Sequence, residues 1–133
     1  MTAYLLDTNH AAQVMAGPDA LRELLVHRGQ PDDRFFISIT VLSELYFAAY
    51  ASQHQVQNLQ SVNRLLDHIP LLNFDLLAAE EYGRIRAELK TKGRPIPGTD
   101  VQIAAVARLH DLIVLSADRH FQYVDNLQVE SWL

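Results

Sequence analysis

Four acids spread along the 133 residues, Asp7, Glu44, Asp100 and Asp118, have side chains suited to hard divalent cations. Carboxylates that approach within about 4 to 6 Å repel and raise one another's pKa, so a converging set calls for a cation. Mg²⁺ and Mn²⁺ prefer oxygen ligands, and Mg²⁺ usually takes one or two carboxylates while keeping waters that phosphate oxygens can replace. That is chemistry for cleaving a phosphodiester. The ion lowers the pKa of a bound water, screens the phosphate and stabilises the leaving oxygen, and a second ion can join when substrate completes its shell.

Each acid also has an ordinary use. Asp7 can cap a helix starting near His10, in competition with Thr8 and Asn9, and Asp118 can cap a short helix before Phe121. Asp100, in Gly98-Thr99-Asp100, is a first-turn acid of the kind that the helix dipole favours. An isolated helical Glu is most often solvated. Glu44, however, lies in Val41-Leu42-Ser43-Glu44-Leu45-Tyr46-Phe47-Ala48-Ala49-Tyr50, apolar nearly all round, where a lone charge is out of place without a partner. Such a helix is either a plain core helix or one with one face on a sheet and the other on a second chain.

The elements that must position these acids alternate between short apolar runs and stretches with helical spacing, which implies an α/β fold. Strands are expected at Ala3 to Leu6, Phe35 to Ile39, Pro70 to Asn73, Leu112 to Leu115 and Gln128 to Val129. The clearest helix runs from about Asp75 to Lys92. Asp75 can cap it, Ala78, Tyr82, Ile85 and Leu89 form its apolar stripe, and Gly93 and Pro95 end it. Thr40 and Thr99 are placed to cap helices at 41–51 and 100–110, and Leu21 to Val26 and Val56 to Leu66 also read as helical. Strands joined by helices imply a parallel sheet with right-handed crossovers. In such a sheet ligands bind beyond the carboxyl ends of the strands, near a topological switch point. Asp7 follows the first strand, Asp118 follows the fourth and Asp100 opens a helix, so all three belong at that edge. Glu44, one turn inside a helix, can reach it.

Length and composition agree. The chain is expected to form one domain over residues 1–133, since a domain of about 150 residues buries roughly 70% of its unfolded surface. Apolar residues make up 49% and charged residues 20%, the balance of a packed protein. There is no cysteine, which removes disulfides and thiolate metal sites and agrees with a cytoplasmic location. Met1-Thr2-Ala3-Tyr4-Leu5-Leu6-Asp7 has no basic leader and only a short apolar run, so neither a signal peptide nor a membrane span is expected. The net charge of −5 opposes broad electrostatic binding to nucleic acid unless bound cations reverse the local sign.

Leu5-Leu6-Asp7-Thr8-Asn9, Ser43-Glu44-Leu45, Pro95-Ile96-Pro97-Gly98-Thr99-Asp100-Val101-Gln102-Ile103-Ala104-Ala105-Val106-Ala107 and Leu115-Ser116-Ala117-Asp118-Arg119-His120-Phe121 together resemble the PIN domain, and within it the VapC group of toxins. The resemblance spans nearly the whole chain through order and spacing. It implies a three-layer α/β/α fold with a mainly parallel sheet of about five strands. It also implies Mg²⁺- or Mn²⁺-dependent RNA cleavage, homodimers or toxin–antitoxin hetero-oligomers, and inhibition by a small antitoxin. Asp7, Glu44, Asp100 and Asp118 carry over as the catalytic and metal-binding acids, with Thr8 and Ser116 offering hydroxyls that orient an acid or a water. The family often has Asn in place of Asp118 and a further acid where this chain has His120, leaving His120 either a substituted ligand or a packing or surface residue. The other five histidines show no metal-binding spacing.

Arg84, Arg86, Lys90, Lys92 and Arg94 hold five of the eleven positive charges and precede the loop that leads to Asp100. Arg94 first, then Lys92 and Arg86, are candidates to grip RNA phosphates, the plain alternative being a solvated helix face. A dehalogenase-like phosphatase would need a second acid where Asn9 stands, and a receiver domain would need paired early acids and a late Lys. An inactive PIN-like module that only binds RNA or protein is the competing reading from another class.

Overall fold

The computed structural model of the chain describes residues 2–16, 19, 23 and 30–133. The elements in order are β1 (Ala3–Leu6), α1 (Thr8–Met15), β2 (Arg34–Ser38), α2 (Ile39–Ala51), α3 (Gln55–His68), β3 (Leu71–Leu72), α4 (Leu76–Lys92), α5 (Gly98–Leu109), β4 (Ile113–Leu115) and β5 (Val129–Glu130). A short 3₁₀ helix, Arg119–Tyr123, lies between β4 and β5. The five strands form one sheet in the order β3-β2-β1-β4-β5, and every pairing is parallel. Helices α1, α2 and α3 pack together on one face and α4 with α5 on the other, giving the three-layer α/β/α arrangement.

β1 is the central strand, and a strand covered on both faces must be apolar on both. Leu5 and Leu6 are accordingly fully buried, in register with Phe36 and Ile37 of β2 and with Val114 and Leu115 of β4. One position earlier in the register Tyr4 and Phe35 stack at 5.4 Å, and Trp132, beyond β5, meets Tyr4 edge-on at 4.8 Å. Trp132 therefore fastens the segment after β5 across β4 onto the central strand.

α4 forms as its sequence dictates. Asp75 accepts a hydrogen bond from Ala78 N–H at 3.0 Å, Ala78, Ile85 and Leu89 are buried, and Gly93 ends the helix at φ +67°. Two expected caps are different. α2 starts at Ile39 with Ser38 Oγ accepting from Val41 N–H at 3.3 Å. Thr40 lies inside it and donates its hydroxyl to Gln102 of α5 at 2.8 Å instead. α5 starts at Gly98 after Pro97, whose carbonyl accepts from Val101 N–H at 3.1 Å, and Thr99 lies within the helix. The expected strands shift slightly. Ile39 belongs to α2, β3 shrinks to its two leucines, Leu112 precedes β4 and β5 is Val129–Glu130. The helix expected at Leu21 to Val26 lies outside the described residues.

α2 buries Val41, Leu42, Leu45 and Ala49, while Phe47 and Tyr50 are 70% and 62% exposed. Its outer face is thus apolar and uncovered. No helix among the described residues is long and apolar enough to cross a membrane.

Candidate active site

From β1 the chain steps to β2 and β3 on one side, then returns past β1 to lay down β4 and β5 on the other. The sheet therefore changes winding direction between β1 and β4, where a crevice opens beyond the strand ends. Asp7 leaves β1 at this point, its N–H donating to Leu115 O at 3.1 Å. Ser116 leaves β4 beside it, its N–H donating to Glu130 O at 2.8 Å.

Asp7 is buried and caps α1. Its Oδ1 accepts from His10 N–H at 2.8 Å and pairs with His10 Nδ1 at 2.9 Å. His10 is fully buried, and its Nε2 accepts from Trp132 N–H at 3.0 Å, so the hydrogen-bond network assigns the ring proton to Nδ1, facing Asp7. Burial by itself would raise the Asp7 carboxyl. Hydrogen bonds from the His10 ring, the Ser116 hydroxyl and His10 N–H together outweigh it and hold the group below its ordinary value. The bonds that make Asp7 a helix cap therefore also favour its ionised form.

Asp100 sits in the first turn of α5 and Asp118 caps the 3₁₀ helix by accepting from His120 N–H at 2.9 Å. The His120 ring stands between them, Nδ1 lying 2.9 Å from Asp100 Oδ2 and 3.1 Å from Asp118 Oδ1. Ser116 Oγ accepts from Asp118 N–H at 3.0 Å, so one hydroxyl ties the Asp7 and Asp118 sides together. Desolvation pushes the Asp100 carboxyl up; the His120 hydrogen bond pulls it back, and the charges of Asp118 and Asp7 push it further up. The site is short of positive charge.

Asp100, Asp118 and His120 each offer a donor atom, all within 4.8 Å of one another. Two carboxylates and an imidazole form a donor set of the kind that divalent cations take. Asp7 is outside that group but within electrostatic reach of Asp100. Glu44 is half-buried on α2, one turn beyond the Thr40–Gln102 bond that holds α2 against α5, and is also outside the group. Thr8, half-buried, opens α1 next to Asp7.

Among the basic candidates, exposed Arg94 lays its guanidinium over the Tyr123 ring at 5.0 Å, at the end of the 3₁₀ helix that begins beside Asp118. Lys92 Nζ donates to Tyr123 O at 3.0 Å and pairs with Asp125 at 2.6 Å, so it ties α4 to this segment. Arg86 donates to Tyr82 Oη at 2.7 Å along α4. His10 escaped the sequence reading, which looked for metal-ligand spacing. The available signal was the Asp7/His10 separation of three, which puts both on one face of a first helical turn.

Comparison with known proteins places the geometry in a family. The tRNA(fMet)-specific endonuclease VapC of Shigella flexneri is 34% identical over 135 residues, covering 99% of each chain. Ribonuclease VapC2 of Haemophilus influenzae is 31% identical over 134 residues, covering 100% of each. The crystal structure of DNA-bound VapBC from Salmonella typhimurium contains a chain with 31% identity and a TM-score of 0.86, covering 100% of both. The PIN domain family matches residues 4–127, and the chain belongs to that family.

Proposed function

We propose that residues 1–133 form a single nuclease domain, a Mg²⁺- or Mn²⁺-dependent endoribonuclease that serves as the toxin of a toxin–antitoxin pair in the cytoplasm. The observation that carries the reading is the meeting of Asp100, Asp118 and His120 within 4.8 Å at the switch point, with Asp7 acting electrostatically on Asp100. The names of the VapC relatives support RNA as the substrate and the VapBC complex supports a small antitoxin partner. The uncovered apolar face of α2 supports a homodimer or a toxin–antitoxin hetero-oligomer.

In this reading Asp7, Asp100 and Asp118 hold the ion, with Glu44 reaching in from α2 and His120 adding a nitrogen donor. A bound divalent ion supplies positive charge for the scissile phosphate and acidity for a water. Ser116 fixes the directions of Asp7 and Asp118, and the Thr8 hydroxyl orients an acid or the attacking water. Arg94, with Lys92 and Arg86 behind it, holds phosphates of the RNA strand.

Asp7→Asn and Asp100→Asn are each expected to lower Mg²⁺- or Mn²⁺-dependent RNA cleavage by at least about 100-fold while leaving the circular dichroism spectrum unchanged, the scale of losing one charge-stabilising group. Undiminished cleavage in either variant sinks the site. Metal-independent RNA binding with no cleavage, and no new RNA ends in cells expressing the protein, would instead mark a binding module.

A further inference from the structure

We propose that His10 is the positioning residue of the site, aiming the Asp7 carboxylate through its Nδ1–H while residues 130–132 hold both of the groups that bind Asp7. The proposal rests on Asp7 acting in a metal-dependent nuclease site.

A buried imidazole with each ring nitrogen engaged has one orientation and one tautomer. Here Trp132 N–H occupies Nε2 at 3.0 Å, which leaves Nδ1 as the donor to Asp7 Oδ1 at 2.9 Å. The ring is fully buried and the backbone that holds it is itself fixed, since the Trp132 indole packs on Tyr4 and Phe35 at 4.8 and 5.7 Å. Ser116, which also hydrogen-bonds Asp7, is held from the same side by its N–H to Glu130 O. Asp7 Oδ1 thus takes two bonds from one residue, backbone and ring, and cannot rotate without losing both. An ordinary core histidine needs partners, but not a functional carboxylate on one nitrogen and the sheet's edge segment on the other. Groups that orient a metal-binding carboxylate this way change metal affinity or activity by about 10–100-fold when removed.

The test compares His10→Leu, which removes the donor, with His10→Asn, whose side-chain amide keeps one close to the Nδ1 position, and with Asp7→Asn. Mn²⁺ affinity is read by electron paramagnetic resonance of the free ion, and cleavage is resolved into kcat and KM. His10→Leu is expected to weaken Mn²⁺ binding roughly 10–100-fold and to lower kcat with little change in KM for RNA. His10→Asn is expected to recover most of both, even if the two variants melt at the same reduced temperature. Equal losses in His10→Leu and His10→Asn assign the residue to packing and overturn the proposal. So does wild-type Mn²⁺ affinity in His10→Leu when Asp7→Asn has lost it. Wild-type affinity in Asp7→Asn itself overturns the underlying site instead, and the positioning role with it. A long-range ¹H–¹⁵N spectrum of the wild-type protein needs no variant at all: the Nδ1–H tautomer is expected for His10, and the Nε2–H tautomer contradicts the proposal.

Discussion

At the scale of single residues, Asp7 and Asp100 are opposites. The Asp7 carboxyl is held below its ordinary value, so its ionised form contributes stability that is present above the unfolded pKa and lost as pH falls through the folded one. The Asp100 carboxyl is pushed up by burial and its acidic neighbours, so stability is lost as pH rises from the ordinary value through the raised one. In chelator-treated protein at pH 7, Asp100→Asn should therefore melt a few degrees above wild type, with the gap closing as pH falls toward about 4. Asp7→Ala should cost about 1 to 2 kcal/mol as a lost helix cap, lowering the melting temperature. Thermal melts across pH check both, and a lower melting temperature for Asp100→Asn at pH 7 would contradict the charge deficit assigned to the site.

At the scale of elements, α4 matters because its end launches the loop that leads to Asp100. Gly93 is in the left-handed region at φ +67°, with no other atom within 4 Å of where a Cβ would stand. Gly93→Ala should therefore cost about 1 kcal/mol from backbone strain alone, as read by urea titration; a cost near zero would mean that the turn is not held in this conformation. Asp75, the buried stripe and Gly93 were legible in the sequence because each acts within its own helix. The starts of α2 and α5 were not: Ser38 caps α2 while Thr40 is drawn to Gln102, 62 positions away, and α5 begins after Pro97 with no side-chain cap at all. The placement of Asp7, Asp100 and Asp118 was legible from strand ends and helix starts. What was not is the tie that joins His10 to Trp132 across 122 positions, for no local pattern encodes which backbone N–H a buried ring will meet.

At the scale of the whole molecule, a net charge of −5 coexists with a reading in which RNA is the substrate. Five of the eleven positive charges lie on α4 and the loop after it, where Arg84 is committed to Glu80 and Glu81 and Lys92 to Asp125, while Arg108 of α5 is committed to Glu81 and Glu88. The reading therefore makes the bound cation part of the substrate surface. Mn²⁺ at about 100 times its dissociation constant should stabilise the fold by about 2.7 kcal/mol, roughly 8 °C in a chain of this length. Asp100→Asn should show little of that gain in a thermal-shift assay. A full shift in the variant would place the ion elsewhere.

Trp132 and Glu130, described above as anchors of the sheet's edge, also set a timetable. A ribosome makes Asp7 and His10 first and their anchor 122 residues later, so a nascent or prematurely released chain carries the early acids without the bonds that aim them. On the proposed reading, removing the residues from Glu130 onward should therefore cost RNA cleavage as well as stability, because both bonds to the partners of Asp7 go with them.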